Sequence, residues 1–516
     1  MDQLNVAPAT KPLADPRDPD RYLRTDALKK DLKGHTIRGG AVTIVAEAIK
    51  QLIWIISTAV LARLLSPSDN GLIAMVIVLT GFMELFKDLG LSAAVIQRDK
   101  IDQQQASTLF WINVAVGIVL ALLTAALAPA VAWFYEEPRL VNITFVLAGG
   151  FVLSGLMIQH RSLLRRQMRL TVLAVIDVGS TLFETAVGIW AAMNGFGYWS
   201  LVITLLAGAP LEVAAMWIIC RWRPNRPARA AGIRSMLAFG GNLMGYRTVN
   251  YLLRNVDNVL IGRVYGPQPL GLYAKAYNLL LLPINRVNGP ISVAAIPALS
   301  RLVDQPGRYR EAFSNIASKV CLLTMPLVAF MLGTADWLVL VVLGPQWVEA
   351  GRIFAWLGIS GLIEPITYAA IWLFLTQGRA RQQFHWGLIS SALMVAAIVA
   401  GLPWGPVGVA AAYGMVSLCI RLPLLFWYVG REGPVRTRDL YGVLMPFAGA
   451  VIVSLLGILA FRQWSGVSNP LVGLLACAAI TGAGSLLTLA IIPSGRPAIR
   501  DLKSIAITLL RPRAAV

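Results

Sequence analysis

Apolar runs of twenty or more residues, separated by short polar turns, cover nearly the whole chain from Gly39 to Ile492. That length is what an α-helix needs to cross the hydrocarbon core of a bilayer. Length and apolarity predict about fourteen spans, at 39–64, 71–96, 107–132, 139–159, 171–194, 198–220, 240–264, 270–298, 314–333, 351–376, 384–402, 406–429, 440–461 and 470–492. None of these runs shows the strict alternation of a barrel strand, so a β-barrel is excluded and the fold class is an all-α integral membrane protein.

Polar positions break this pattern in a regular way. In span seven, Arg247, Asn250, Arg254, Asp257 and Asn258 fall on one stripe at about 100° per residue. A charge at bilayer depth costs about 2.5–3.5 kcal/mol on insertion scales, so this stripe must face water, a partner charge or a ligand. Span eight carries Lys275, Asn278, Asn285 and Arg286, span one Glu47, Lys50, Gln51 and Trp54, and span two Glu84, Lys87 and Asp88. Span five adds Asp177 and Glu184.

The two polar helix pairs are related. LARLLSPSDNGLIAMVIVL at 61–79 aligns without a gap on IGRVYGPQPLGLYAKAYNL at 261–279. Arg63 meets Arg263, Pro67 meets Pro267, Gly71 meets Gly271 and Leu72 meets Leu272. Each copy joins the first two spans of a set of six, and both turns face the same side. Parallel repeats of this kind predict two six-helix lobes with a binding site between them. The expected organisation is a cytoplasmic extension at 1–38 with a short basic amphipathic helix, an N-lobe at 39–220 and a C-lobe at 235–429. Two more spans follow at 440–492, then a basic tail at 493–516.

Charge sets the orientation. The chain has 45 Lys and Arg against 26 Asp and Glu, a formal net charge of +19. The excess collects at the N-terminus, in the tail and in alternate loops at 97–100, 160–169, 221–234, 299–312, 377–381 and 430–438. The positive-inside rule accounts for it, places both termini in the cytoplasm and removes nucleic acid as an expected partner. No apolar signal-peptide core precedes the first span. Cys220, Cys321, Cys419 and Cys477 form no CxxC pair, and His35, His160 and His385 have no ligand spacing, so no metal site and no cofactor are expected.

Lys50, Lys87, Arg254 and Arg286 lie near mid-membrane when counted from the turns. Together with Arg247, Asn250, Asn258, Lys275 and Asn278 they form a candidate cavity for a diphosphate or an acidic sugar. Glu84, Asp88, Asp177, Glu184 and Asp257 are candidates for coupling to an H+ or Na+ gradient. The alternative for all of them is structural: Glu47 with Lys50, Glu84 with Lys87 and Asp88, and Arg254 with Asp257 are spaced to pair along a helix. No P-loop, nucleophile elbow or metal motif supports an enzyme or direct ATP drive.

VLARLLSPSDNGLIAM, FKDLGLSAAVIQR, STLFWINVAVG, FGYWSLV, CRWRP, PISVAAIPALSRL, LGPQW and above all RNVDNVLIGRVYGPQPLGLYAKAY resemble the Wzx-type polysaccharide transporter branch of the multidrug/oligosaccharidyl-lipid/polysaccharide exporter superfamily. The resemblance runs from about Gly39 to Arg431. It implies two six-helix lobes forming a V-shaped cleft, two further C-terminal helices, and a place in the bacterial inner membrane. It implies movement of an undecaprenyl-diphosphate-linked repeat unit for exopolysaccharide or O-antigen synthesis by alternating access, beside a polysaccharide polymerase or co-polymerase. Alternatives are a multidrug or cation antiporter on the same fold, whose cavity should be acidic or aromatic, and a membrane-embedded polymerase or ligase, which would need catalytic residues on an outward loop.

Overall fold

The computed structural model describes residues 32–88, 90–97, 101–227, 248, 250–493 and 495–496. Arg247, the first half of span seven, the N-terminal extension before residue 32 and the amphipathic helix expected at 499–510 lie outside the described residues. Every regular element described is a helix. Eleven helices among the described residues are long and apolar enough to cross a membrane, by length and composition. The protein is therefore a multi-pass, all-helical membrane protein. One of the eleven, Ala380–Gly430, contains two of the spans expected from sequence.

The helices divide into two compact units. One comprises residues 1–58 and 76–249, the other 59–75 and 250–516. The first contains most of α1 (Leu32–Leu64), the second half of α2 (Pro67–Glu84), α3 (Leu91–Gln97), α4 (Gln103–Tyr135), α5 (Arg139–Arg166), α6 (Leu170–Met193) and α7 (Tyr198–Cys220). In lipid there is little hydrophobic drive between helices, so close backbone approach carries the packing. The α4–α5 pair shows it: a Cβ on Gly117 would stand 2.6 Å from the Phe151 carbonyl oxygen, and one on Gly155 2.7 Å from that of Asn113. At the basic end of this unit the CRWRP segment folds back on the bundle. Trp222 is fully buried and donates from Nε1 to Gln103 Oε1 at 2.6 Å, and Arg223 stacks on Trp217.

The second unit holds α8 (Val256–Tyr265), α9 (Pro267–Ser300), α10 (Pro306–Gly333), α11 (Ala335–Val342), α12 (Val348–Thr376), α13 (Ala380–Gly401), α14 (Gly405–Val416), α15 (Leu422–Gly430), α16 (Thr437–Trp464) and α17 (Pro470–Ile491). Helix α12 is its axis and is buried along most of its length. Phe313, Trp372, Phe374 and Phe426 close the core around it.

Three sequence expectations change. Span two is not one helix: α2 stops at Glu84 and α3 starts at Leu91, with Gly90 in the left-handed region (φ 74°) between them. Span seven is interrupted at Asn255, whose side chain donates to the Tyr251 carbonyl at 2.8 Å and competes with the helical ladder. The segment HRSLLRRQMR, expected as a loop, is helical as far as Arg166, and Arg166 is buried against the Val95 carbonyl.

Candidate functional site

In the second unit, the interruption at Asn255 organises the polar residues. Arg254 is the last residue before it and Asp257 stands in the first turn after it. Broken membrane helices present helix ends and freed backbone groups to ligands. Asp257 is buried at 4% exposure and accepts from Tyr273 Oη at 2.9 Å. The backbone N–H of Asn258 donates to the same carboxylate at 2.8 Å, while Asn258 Oδ1 is buried without a partner.

Arg254 is exposed and lies near Tyr277, Tyr368 and Glu364. Tyr273 and Tyr277 stack with ring centroids 6.2 Å apart, and Tyr413 lies beside Tyr277. Glu364 of α12 faces Arg421 at 3.9 Å, and Arg421 is held by Ser390 Oγ at 2.9 Å. Arg421 ends a π-helical stretch at Ser417–Arg421, a distortion found often at functional sites. This cluster brings together two guanidinium groups, a carboxylate and a set of tyrosines, which suits an anionic, hydroxyl-rich ligand.

Asn250 is half-buried one turn before Arg254, and Asn278 and Arg286 are exposed along α9. Lys275 is elsewhere. It sits in the first turns of α9, beside the repeat turn, where its Nζ donates to Asn70 Oδ1 at 3.2 Å and lies 5.9 Å from the Trp347 ring. At this end Gly71 of α2 packs against Pro267, and Gly271 of α9 packs against Pro67. The LGPQW segment closes over the end of α1. Trp347 Nε1 donates to the Ala62 carbonyl at 2.7 Å, Gln346 reaches the Ala62 and Leu65 carbonyls, and Arg63 donates to the Val341 carbonyl at 2.7 Å. These bonds satisfy carbonyls that a helix C-terminus leaves open.

The first unit holds its own charge cluster. Lys50 pairs with Glu47 at 2.6 Å and Lys87 pairs with Glu84. Asp88 does not share a helical stripe with them. It stands in the break and caps α3, accepting from Ser92 N at 3.0 Å and Ser92 Oγ at 2.7 Å. Asp177 pairs with Arg161, whose other arm is 3.8 Å from Glu212. Glu212 interacts electrostatically with Lys50, Lys87 and Glu184, and Glu184 lies over Gly208.

Sequence reasoning passed over Arg161, Glu212, Glu364, Tyr368, Tyr413 and Arg421. Glu212 and Glu364 had a usable signal, since each is a lone carboxylate in an apolar run. Arg161 was hidden by the loop expected at 160–169.

A multi-helix membrane protein with charged residues at helix breaks is the class of protein that this architecture defines. Its fold is that of solved exporters. The lipid II flippase MurJ in an inward closed conformation superposes with a TM-score of 0.68 at 13% identity, over 88% of this chain and 98% of that one. The polysaccharide biosynthesis protein family matches residues 60–352, and the chain belongs to that family. It is 26% identical over 440 residues to the teichuronic acid biosynthesis protein TuaB of Bacillus subtilis, covering 82% of this chain and 88% of TuaB. It is 23% identical to the lipopolysaccharide biosynthesis protein WzxC of Escherichia coli, over 75% of this chain and 79% of WzxC.

Proposed function

We propose that this protein is a flippase that carries an undecaprenyl-diphosphate-linked oligosaccharide repeat unit across the bacterial inner membrane by alternating access. Membership of the polysaccharide biosynthesis family and the fold shared with a lipid II flippase support the substrate class. The observation that carries the reading is Arg254, exposed beside the break at Asn255 and framed by Tyr277 and Tyr368. Its forked donors suit a diphosphate, and the tyrosines suit sugar hydroxyls and ring faces.

The basic loops and both termini face the cytoplasm, and the repeat turns at 65–71 and 265–271 face the periplasm, as the Lys and Arg asymmetry supports. The protein is a secondary transporter, driven by an H+ or Na+ gradient. Asp257, buried beside the unpartnered Asn258 Oδ1, is the coupling candidate in the second unit. Asp177 and Glu184, gathered around Glu212, are the candidates in the first. Glu84 and Asp88 are already engaged by Lys87 and Ser92. A polymerase or co-polymerase is the implied partner, since flipped units must be joined.

The test is complementation of a deletion strain with Arg254→Ala and Arg254→Lys. Lipid-linked repeat units should build up in the inner leaflet with Arg254→Ala at normal protein level, with partial recovery for Arg254→Lys. Build-up in the outer leaflet would overturn the reading and favour a polymerase.

A further inference from the structure

Lys275 is a cation without a counter-ion. Its ammonium has three donors, yet its partners are one amide oxygen, Asn70 Oδ1 at 3.2 Å, and the face of Trp347. No carboxylate stands within ion-pair reach of it among the described residues. Lys275 is half-buried, and shielding an ammonium from water without an anion is unfavourable, so the arrangement favours any state in which the group meets more water or an anion.

What faces Lys275 is the ring of Trp347, a fully buried side chain that also forms a clasp. The Trp347 ring that faces the ammonium also holds the Ala62 carbonyl through its indole N–H, and its neighbour Gln346 bridges the Ala62 and Leu65 carbonyls. Arg63 returns one bond, to Val341. Gly344, with φ 104°, makes the turn that brings Gln346 and Trp347 to the helix end. The closure is held by a few side-chain to backbone hydrogen bonds, each contributing modestly, and by the burial of Trp347. Because one ring both clasps and covers, releasing the clasp uncovers the ammonium.

We propose that Lys275 is a covered anion site: when the Gln346–Trp347 clasp lets go of the end of α1, its ammonium becomes a contact for the diphosphate of the lipid-linked sugar at the periplasmic end. This rests on the flippase reading and adds to it a second anion contact, separate from Arg254 and available only after release.

The experiment measures binding of inorganic pyrophosphate to the purified full chain in nanodiscs of neutral lipid. Gln346→Ala and Trp347→Phe, which keeps an aromatic ring and removes the indole N–H, should each tighten binding about tenfold, a change of about 1.4 kcal/mol. Adding Lys275→Gln should remove the gain, and Lys275→Arg should keep it. Arg254→Ala should lower the native affinity and leave the gain. No gain in either clasp variant, or a gain that survives Lys275→Gln, overturns the proposal. So does a gain seen with vesicles of anionic phosphatidylglycerol and not with pyrophosphate, which would assign the site to lipid headgroups. A Lys275-dependent gain in a protein whose export ignores Arg254 would sink the flippase reading and leave the covered anion site standing. Export that needs Arg254 without any gain would do the reverse.

Discussion

Gly71 rests on the backbone of Pro267, and the relationship is reciprocal, since Gly271 rests on the backbone of Pro67. A Cβ at either glycine would fall far inside contact distance of a carbonyl oxygen. The two turns are the ones that align across the 200-residue repeat, so the repeat is also an interface. Backbone cannot give way as a flexible side chain can. Gly71→Ala or Gly271→Ala should therefore each destabilise this end by about 1–3 kcal/mol, as overpacking does elsewhere. Thermal unfolding of the purified variants checks this. Alanine at either position with unchanged stability would mean that the turns separate readily.

Tyr273 gives a second prediction. Its hydroxyl donates to the buried Asp257 carboxylate, and both groups are nearly inaccessible. Tyr273→Phe removes one donor and leaves the carboxylate short, at a cost of about 1–3 kcal/mol. Asp257→Asn keeps the shape and removes the charge. If Asp257 couples transport to an ion gradient, Asp257→Asn should make export insensitive to collapse of that gradient while the protein still folds. Retained gradient dependence with lower stability would assign Asp257 to the scaffold.

Much of this was legible in the sequence, for physical reasons. Span lengths are set by bilayer thickness, so α4, α6, α7 and α12 fall within a few residues of their expected bounds. The helix starts at Pro67 and Pro267 were readable because proline suits the first turn of a helix, but the turns expected to run on to Gly71 and Gly271 are already helical there. The breaks at 85–90 and at Asn255 were not, since apolar periodicity runs through them and only tertiary context decides where a ladder gives way. Lys275 shows the same limit. Its type and spacing suggested the same face as Arg254, but its position beside the turn sends it to Asn70 and Trp347.

Outside the membrane, Glu137 ties the loop between α4 and α5 to Arg139. Arg139 Nε donates to Glu137 Oε1 at 2.8 Å and Nη2 to Oε2 at 2.7 Å, and this bonding holds the carboxyl below its ordinary value. A depressed carboxyl contributes stability above its unfolded pKa and loses it as pH falls through the folded value. The contribution should therefore be full at neutral pH and fade below the ordinary carboxylate range. The pair is partly exposed, so the effect should stay below about 1 kcal/mol. Arg139→Gln should flatten this acid limb in a titration of unfolding temperature, and an unchanged limb would show that the pair contributes nothing.

Arg161 separates scaffold from transport in the first unit. It lies between Asp177 and Glu212, with each of the three side chains about a quarter exposed or less. Removing the cation leaves two carboxylates facing each other in a poorly solvated place. Breaking a fully buried pair costs about 3–5 kcal/mol, because the remaining charge is uncompensated, and this half-buried cluster should cost less. Arg161→Gln alone should therefore lower the yield of folded protein. Arg161→Gln combined with Asp177→Asn and Glu212→Gln removes all three charges at similar volume and should restore folding. If the cluster serves ion coupling, the neutral triple variant will be stable and unable to export. If it only joins α5, α6 and α7, the triple variant will be stable and active, and measuring folded yield beside surface glycan in the same strain decides between them.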